Sequence, residues 1–405
     1  MDFEQKYSDE QERFRKEVRA WMESNVPEEM KEPINRRADF TEEMFEFWKP
    51  KFRELAAKGW LLDTCAYPKE YGGGGLSAAQ ETILAEEFHR HRVPRISNYY
   101  SLPILTVWGT EEQKRKFLVP LLKGEKFSWW KLTEPHSGAD LASYQSRAVR
   151  DGDDWLLSGT NVFISGRGTP DWLFGPMMTD PDAPRHRNLG LFFIPNPSPG
   201  LEIKTLNLLN GNEQHFIFMD GVRVPGDHLI GGDHQGWQVA NTGLEQEHGG
   251  RGQAFPSDEV VDSLVTYMQE SSDQDPVRQQ VAASARIEAH VHDLFSQRTY
   301  WMYTSRHEVQ WEGPTSSLHG REYGLRNAGR VRDVMGMYSL LDGSDSRAPH
   351  QGVQEAEQRN SLQHQHGAGS LNINKVIVAR RIGISRTRER SAPTPATAGR
   401  LGGAT

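Results

Sequence analysis

Few side chains in this sequence stand in a spacing that makes chemistry by itself, and several of them exclude more than they suggest. His364 and His366 could ligate a metal, but no acidic partner stands at helical spacing, so no metal is expected. Cys65 is the sole cysteine, which removes disulfide frameworks and thiolate clusters. The glycine run Gly72–Gly75 is not followed by Gly-Lys-Ser/Thr, so it reads as a tight loop and not as a phosphate cradle. Arg386, Arg388 and Arg390 form a short basic patch that reads as a solvated end. Two stretches with hydroxyl and carboxyl groups are left, Leu132-Thr-Glu-Pro-His-Ser-Gly-Ala-Asp140 and Leu244-Glu-Gln-Glu247-His248. The alternative for the carboxylates of the second is a solvated helix face, since Glu is common on exposed faces.

The elements that must position these groups come from a chain of 405 residues with a formal net charge of -8. That length suggests two or three domains, or one large fold with sub-domains. Apolar residues make up 36%, and with 38 glycines the composition is in the globular range, enough for a real core. The longest apolar runs, such as Leu189–Ile194, are strand-sized and far short of a membrane span. The start, Met1-Asp-Phe-Glu-Gln, lacks the basic and apolar regions of a signal peptide. The mild acidity argues against binding a nucleic-acid backbone. The expectation is a soluble, cytoplasmic protein.

The chain divides into three zones. Residues 1–125 read as helical: Ser8 with Gln11, Ser77 with Gln80, and Thr110 with Gln113 each form the spacing of a capping box. Apolar stripes such as Phe14, Val18, Trp21 and Met22 follow them. Residues 126–236 read as a small antiparallel β domain, with a turn at Asp151-Gly152 and short strands at Val162–Ser165, Leu189–Ile194, Leu201–Lys204 and Phe216–Met219. Residues 237–390 return to helices, at Val281–Arg306 and Glu322–Leu341, with a polar loop at Asp342–Gly369. Residues 391–405, rich in Pro, Ala, Thr and Gly, read as a disordered tail. The fold class is α+β, with helices, a β domain and a C-terminal helical bundle in that order.

On this zoning, Leu132-Thr-Glu-Pro-His-Ser-Gly-Ala-Asp140 resembles the flavin signature of the acyl-CoA dehydrogenase family, Thr-Glu-Pro-x-x-Gly-Ser-Asp. Ser158-Gly-Thr-Asn-Val-Phe-Ile-Ser165 resembles that family's Asn-Gly-x-Lys-x-Trp-Ile-Thr strand. Further matches keep the same order: Pro68-Lys-Glu-Tyr-Gly-Gly, Gly109-Thr-Glu-Glu-Gln-Lys, Val222-Arg-Val-Pro with Gly236-Trp237, and Val376-Ile-Val-Ala-Arg-Arg-Ile-Gly-Ile.

The resemblance implies FAD as cofactor, an acyl-CoA substrate, electron-transfer flavoprotein as acceptor, and a homodimer, homotetramer or hetero-oligomer with a related subunit. It implies that Thr133 bonds the flavin edge, that Trp130 and Leu132 line the ring, that Phe163 covers its face in place of the family's Trp with Ile164 beside it in the strand, and that Ser165, in place of the family's Thr, offers a hydroxyl near the flavin N5. Gly369 and Ser370 would meet a phosphate or the adenosine. Ala139 stands where many members place a Ser beside CoA, and Leu244, Glu245, His248 and Arg251 fall on its other contacts. Ala368 occupies the usual position of the catalytic acid, so the resemblance moves the base to Glu247, as in the branch with Leu-x-x-Glu-Arg after the β domain, with Glu245 as the fallback. Glu270-Ser-Ser-Asp273 replaces the family's Arg-x-x-Phe-Gly, which reaches a neighbouring subunit's FAD diphosphate. Two alternatives remain: a flavin oxidase or monooxygenase on the same fold, and a non-catalytic partner subunit.

Overall fold

The computed structural model describes residues 6–33, 39–95, 99–248, 252–253, 255–272, 274–305, 307, 310–367 and 369–385. The tail expected at 391–405 lies outside them.

All three capping boxes form. Ser8 starts α1 (Asp9–Asn25). Thr41 caps α2 (Glu42–Ala57) through its hydroxyl. Ser77 and Gln80 open α3 (Ala78–Arg90), and α4 (Ser101–Trp108) follows. Thr110 and Gln113 open α5 (Glu111–Gln113), which continues through a π turn, Lys114–Leu118, into α6 (Val119–Leu122). The buried carboxylate of Glu87 on α3 takes hydrogen bonds from Arg15 and Arg19 of α1 at 2.7–3.1 Å. Gln113 does a second job: its amide nitrogen donates to the carbonyls of Asp227 and Leu229 at 2.9 and 2.8 Å, fastening the helical zone to the exit of the β zone.

The middle zone holds β1 (Ser128–Trp130), β2 (Arg147–Asp151), β3 (Asp154–Ile164), β4 (Trp172–Met178), β5 (Leu189–Pro195), β6 (Leu201–Asn207), β7 (Glu213–Pro225) and β8 (Leu229–Ile230). The sheet order is β6-β7-β3-β2-β4-β5-β8, with β1 beside β4. Pairings are antiparallel except where β1 and β2 run along β4. The Asp151-Gly152 turn joins β2 to β3, with Gly152 at φ +65°, a region that glycine enters without steric cost. β4 and β5 are buried on both faces, which explains their unbroken apolar runs.

The last zone contains α7 (Gly236–His248), α8 (Glu259–Glu270), α9 (Pro276–Thr304), α10 (Glu312–Met335), α11 (Val353–Gln363) and α12 (Leu371–Arg381). The sequence expected a helix over Glu322–Leu341; α10 begins ten residues earlier and gives way to a tight turn at Gly336–Leu340. The polar loop expected over Asp342–Gly369 is corrected by α11. That helix has no apolar stripe to betray it. It is held by amides: Gln354 donates to the Val260 carbonyl at 2.9 Å, Gln358 to that of Ser339 at 2.9 Å, and Arg359 pairs with Glu355 one turn away.

One apolar cluster joins all three zones. Leu105 and Phe117 from the helices, Trp130, Phe174 and Phe193 from the sheet, and Val239 of α7 lie together in it. Removing such surface from water stabilises by roughly 25 cal/mol per Å2, so this cluster fixes how the zones meet.

Candidate active site

The Leu132–Thr133 segment leaves β1 and is held by β3. Asn161 is fully buried, and its amide nitrogen donates to the carbonyls of Leu132 and Thr133 at 3.4 and 3.2 Å, while the Val162 N–H reaches the Thr133 carbonyl at 2.9 Å. Glu134, the acid of Thr-Glu-Pro, faces inward and is 2% exposed. It accepts the Gln145 and Ser146 N–H groups at 2.7 and 2.9 Å, so this carboxylate organises a loop and is not open to a substrate.

Past Asn161 the β3–β7 ladder slips. Asn161 faces Ile217 but Ile164 faces His215, so β3 spends one residue more than β7 over this stretch. This is a β-bulge, and it bends the strand and re-aims its side chains. Phe163 sits in it at φ +59°, costly for a bulky residue, and is 53% exposed. Beneath, Ile164 is buried, and its carbonyl accepts Nδ1–H of buried His215 at 3.1 Å. The His215 ring lies 4.5 Å from that of Trp129, and burial pushes its pKa down. Ser165 is exposed beside Phe163, and its hydroxyl oxygen accepts from the Gln214 amide at 2.9 Å. A strained, outward aromatic next to an outward hydroxyl is a platform for a flat, hydrogen-bonding ring.

Trp130 does not join that platform. It is 5% exposed, packed edge-on against Tyr100 and Phe174 at 5.4 and 4.9 Å, and pressed against Gly243 of α7. The sequence expected Trp130 to line the ring; β1 instead turns it into the cluster joining the zones, which leaves Phe163 as the outward aromatic here. Leu132 and Leu244 are half-buried at the edge of that cluster.

Lys131 points to the other face and is wholly buried, with Nζ 3.2 Å from the Pro176 carbonyl and 3.0 Å from Met177 Sδ. Burial pushes its pKa down to about 8, opposed by the charge of Glu134. Tyr144, also buried, has its phenol pushed up by the same loss of water and by Glu134.

Of the expected substrate contacts, Ala139 is exposed, and the neighbouring Asp140 pairs with Arg185. Glu245, Glu247 and His248 fall in the last turn of α7, where the backbone alone is described. By helical register Glu247 stands one turn beyond Gly243 and two beyond Ala240. Arg251, Asp273 and Ala368 lie outside the described residues. Gly369, at φ +78°, accepts from the Asn374 amide at 2.9 Å and from Arg321, and Ser370 caps α12. Among the described residues no group of three or more His, Cys, Asp or Glu could hold a metal, and no helix is long and apolar enough to cross a membrane.

Sequence reasoning missed Asn161, Lys131, Gln214 and Gly243. Asn161 sits in the strand resembling the flavin-binding strand, at the family's Lys position, and that replacement was a usable signal. The others depend on pairings that spacing does not reveal.

The family comparisons agree with this architecture. Residues 8–125 match the acyl-CoA dehydrogenase N-terminal domain and residues 130–222 the acyl-CoA dehydrogenase middle domain, and the chain belongs to the acyl-CoA dehydrogenase family. Acyl-CoA dehydrogenase FadE29 of Mycobacterium tuberculosis is 35% identical over 184 residues, 45% of this chain and 48% of that protein. The chain thus spans about half the length of this curated relative. Among solved structures, the "Tcur3481-Tcur3483 steroid ACAD" superposes with a TM-score of 0.80 at 24% identity, covering 96% of this chain and all of that one. The ChsE4-ChsE5 complex from Mycobacterium tuberculosis gives 0.78 at 22%, covering 94% and 99%. At these identities the likeness is one of fold. The family is FAD-dependent.

Proposed function

We propose that this protein is an FAD-dependent acyl-CoA dehydrogenase in which Glu247 removes the α-proton of an acyl-CoA thioester. When bound, FAD supplies an acceptor for the β-hydrogen as hydride. The observation that carries the reading is the outward pair Phe163 and Ser165, set by the bulge beside the segment that Asn161 ties down. These residues fit a flavin: Thr133, Phe163, Ile164 and Ser165 would hold the ring with Leu132 at its edge, and the Gly369-Ser370 turn would meet the diphosphate or adenosine. Trp130 supports the strand from behind.

Abstraction of an α-proton needs a carboxylate within hydrogen-bond reach in a water-poor site. Glu247 is assigned this part because α7 carries it past Gly243, which packs on the strand leading to Thr133. Glu245, His248 and Arg251 would hold CoA, with Leu244 and Ala139 along its path. Donors aimed at the thioester oxygen are a further requirement, since that oxygen gains charge. Electron-transfer flavoprotein is the proposed acceptor.

The test is direct. The purified chain is examined for flavin absorbance, then mixed without oxygen with straight-chain and steroid-side-chain CoA thioesters. Bleaching of the flavin by one of them supports the reading; a flavin-loaded protein that no acyl-CoA reduces counts against it. Fast reoxidation by oxygen would favour an oxidase instead.

One observation favours a hetero-oligomer of two related subunits. α8 ends at Glu270, and the Ser271-Ser272 turn after it stands beside a groove of about 500 Å3 lined by Met268, Gln269, Gln279, Ala282 and Arg286. Arg286, the cation there, is paired with Asp262. A neighbour's diphosphate would find a carboxylate where the family offers an Arg, and a related subunit would have to supply the positive charge. Light scattering on the chain expressed alone and with a candidate subunit separates the two assemblies.

A further inference from the structure

The bulge at Phe163 does more than expose a ring. In the register set by Asn161 opposite Ile217, an unbroken ladder would bring Ser165 opposite Glu213, a carboxylate. The extra residue moves the pairing by one, so that Ile164 meets His215 and Ser165 meets Gln214. The two alternatives differ in hydrogen-bond capacity: a carboxylate can only accept, whereas an amide can also donate, as the Gln214 nitrogen does here. An ionised carboxylate only accepts and would draw the Ser165 hydrogen to itself. The Gln214 amide nitrogen only donates, and at 2.9 Å it occupies a lone pair of the Ser165 oxygen. Among the described residues no acceptor takes the hydroxyl hydrogen of Ser165.

We propose that Gln214 is a positioning residue: by donating to Ser165 Oγ across the bulge, it commits the Ser165 hydroxyl to donate outward, toward a flavin ring nitrogen. A free serine rotor would spend its hydrogen on water or a neighbour, and ordering it on binding costs entropy. Here the Gln214 N–H fills one lone pair of the oxygen, which narrows the directions left to that hydrogen. The side chain lies on β7 and reaches the platform only because β3 is bulged, so the function of Gln214 is tied to the strain at Phe163. The inference rests on the flavin reading of this site.

The test is a double-variant cycle with bound FAD as readout. Gln214→Glu, Gln214→Leu, Ser165→Ala and the two double variants are titrated with FAD, and the visible spectrum and midpoint potential of each complex are recorded. Gln214 is half-buried, so the variants are expected to fold, and thermal melts check this. Gln214→Glu reverses the polarity and is expected to weaken FAD binding about threefold to tenfold, the scale of one hydrogen bond, with a spectral shift like that of Ser165→Ala. Gln214→Leu frees the rotor and is expected to fall between Gln214→Glu and wild type. With Ser165→Ala in the background, both changes are expected to lose most of their effect. If Gln214→Glu leaves affinity and spectrum unchanged, or if its effect is the same with and without the Ser165 hydroxyl, the proposal is overturned. Failure of the wild-type protein to bind FAD at all would instead overturn the flavin reading on which it rests.

Discussion

Gly243 and Trp130 touch with no space for another atom: a Cβ built on Gly243 would lie 2.0 Å from Cη2 of the indole. The contact joins α7 to the strand that runs into Leu132 and Thr133. It therefore sets the height of α7, and of Glu247 one turn on, against the proposed flavin segment.

Gly243→Ala tests that contact. Alanine is the better helix former by about 1 kcal/mol, and in an open helix it would stabilise. Here the methyl group meets a buried ring that is already packed against Tyr100 and Phe174. Overpacking is expected to win, with a net loss of about 1–3 kcal/mol in chemical denaturation. A variant as stable as wild type would show that the indole has room to move.

Glu247→Gln keeps the size and hydrogen bonding of the side chain but not its basicity. Flavin reduction by a substrate acyl-CoA, followed by stopped-flow absorbance, is expected to slow by about 10²–10⁴-fold, with a much smaller change in acyl-CoA affinity. Glu245→Gln is expected to loosen CoA with less loss of rate. Wild-type reduction rates in Glu247→Gln would place the base elsewhere.

Lys131 makes stability depend on pH in the alkaline range. Its folded pKa is pushed down to about 8 by burial, below the ordinary 10.5. Between these values the unfolded chain holds the proton more tightly, so stability rises with pH across that window. Lys131→Met removes the charge and fills the same space. It is expected to be more stable than wild type below pH 8 by on the order of 3 kcal/mol, and the gap is expected to close toward pH 10.5. Urea midpoints measured across this range decide it; a gap that does not change with pH would mean the ammonium is satisfied where it lies.

Asn161→Leu removes the donor that holds the Leu132 and Thr133 carbonyls. Loss of these buried hydrogen bonds is expected to cost about 1–3 kcal/mol. Because the same carbonyls fix the proposed flavin segment, FAD titration is expected to show weaker binding as well. Unaltered FAD affinity in a destabilised variant would confine Asn161 to a structural part.

The three capping boxes, the Asp151-Gly152 turn and the Thr-Glu-Pro segment were legible because each is written within a few neighbouring residues. So was the order of helices, sheet and helices, since the apolar period changes along the chain. Burial and register were not. Trp130 and Lys131 are adjacent and point to opposite sides, and only packing decides that neither faces the platform. α11 hid because its contacts are amides and not an apolar stripe. The meeting of Ser165 with Gln214, 49 residues apart, exists because one extra residue in β3 shifts a ladder, and a ladder is a property of two strands together.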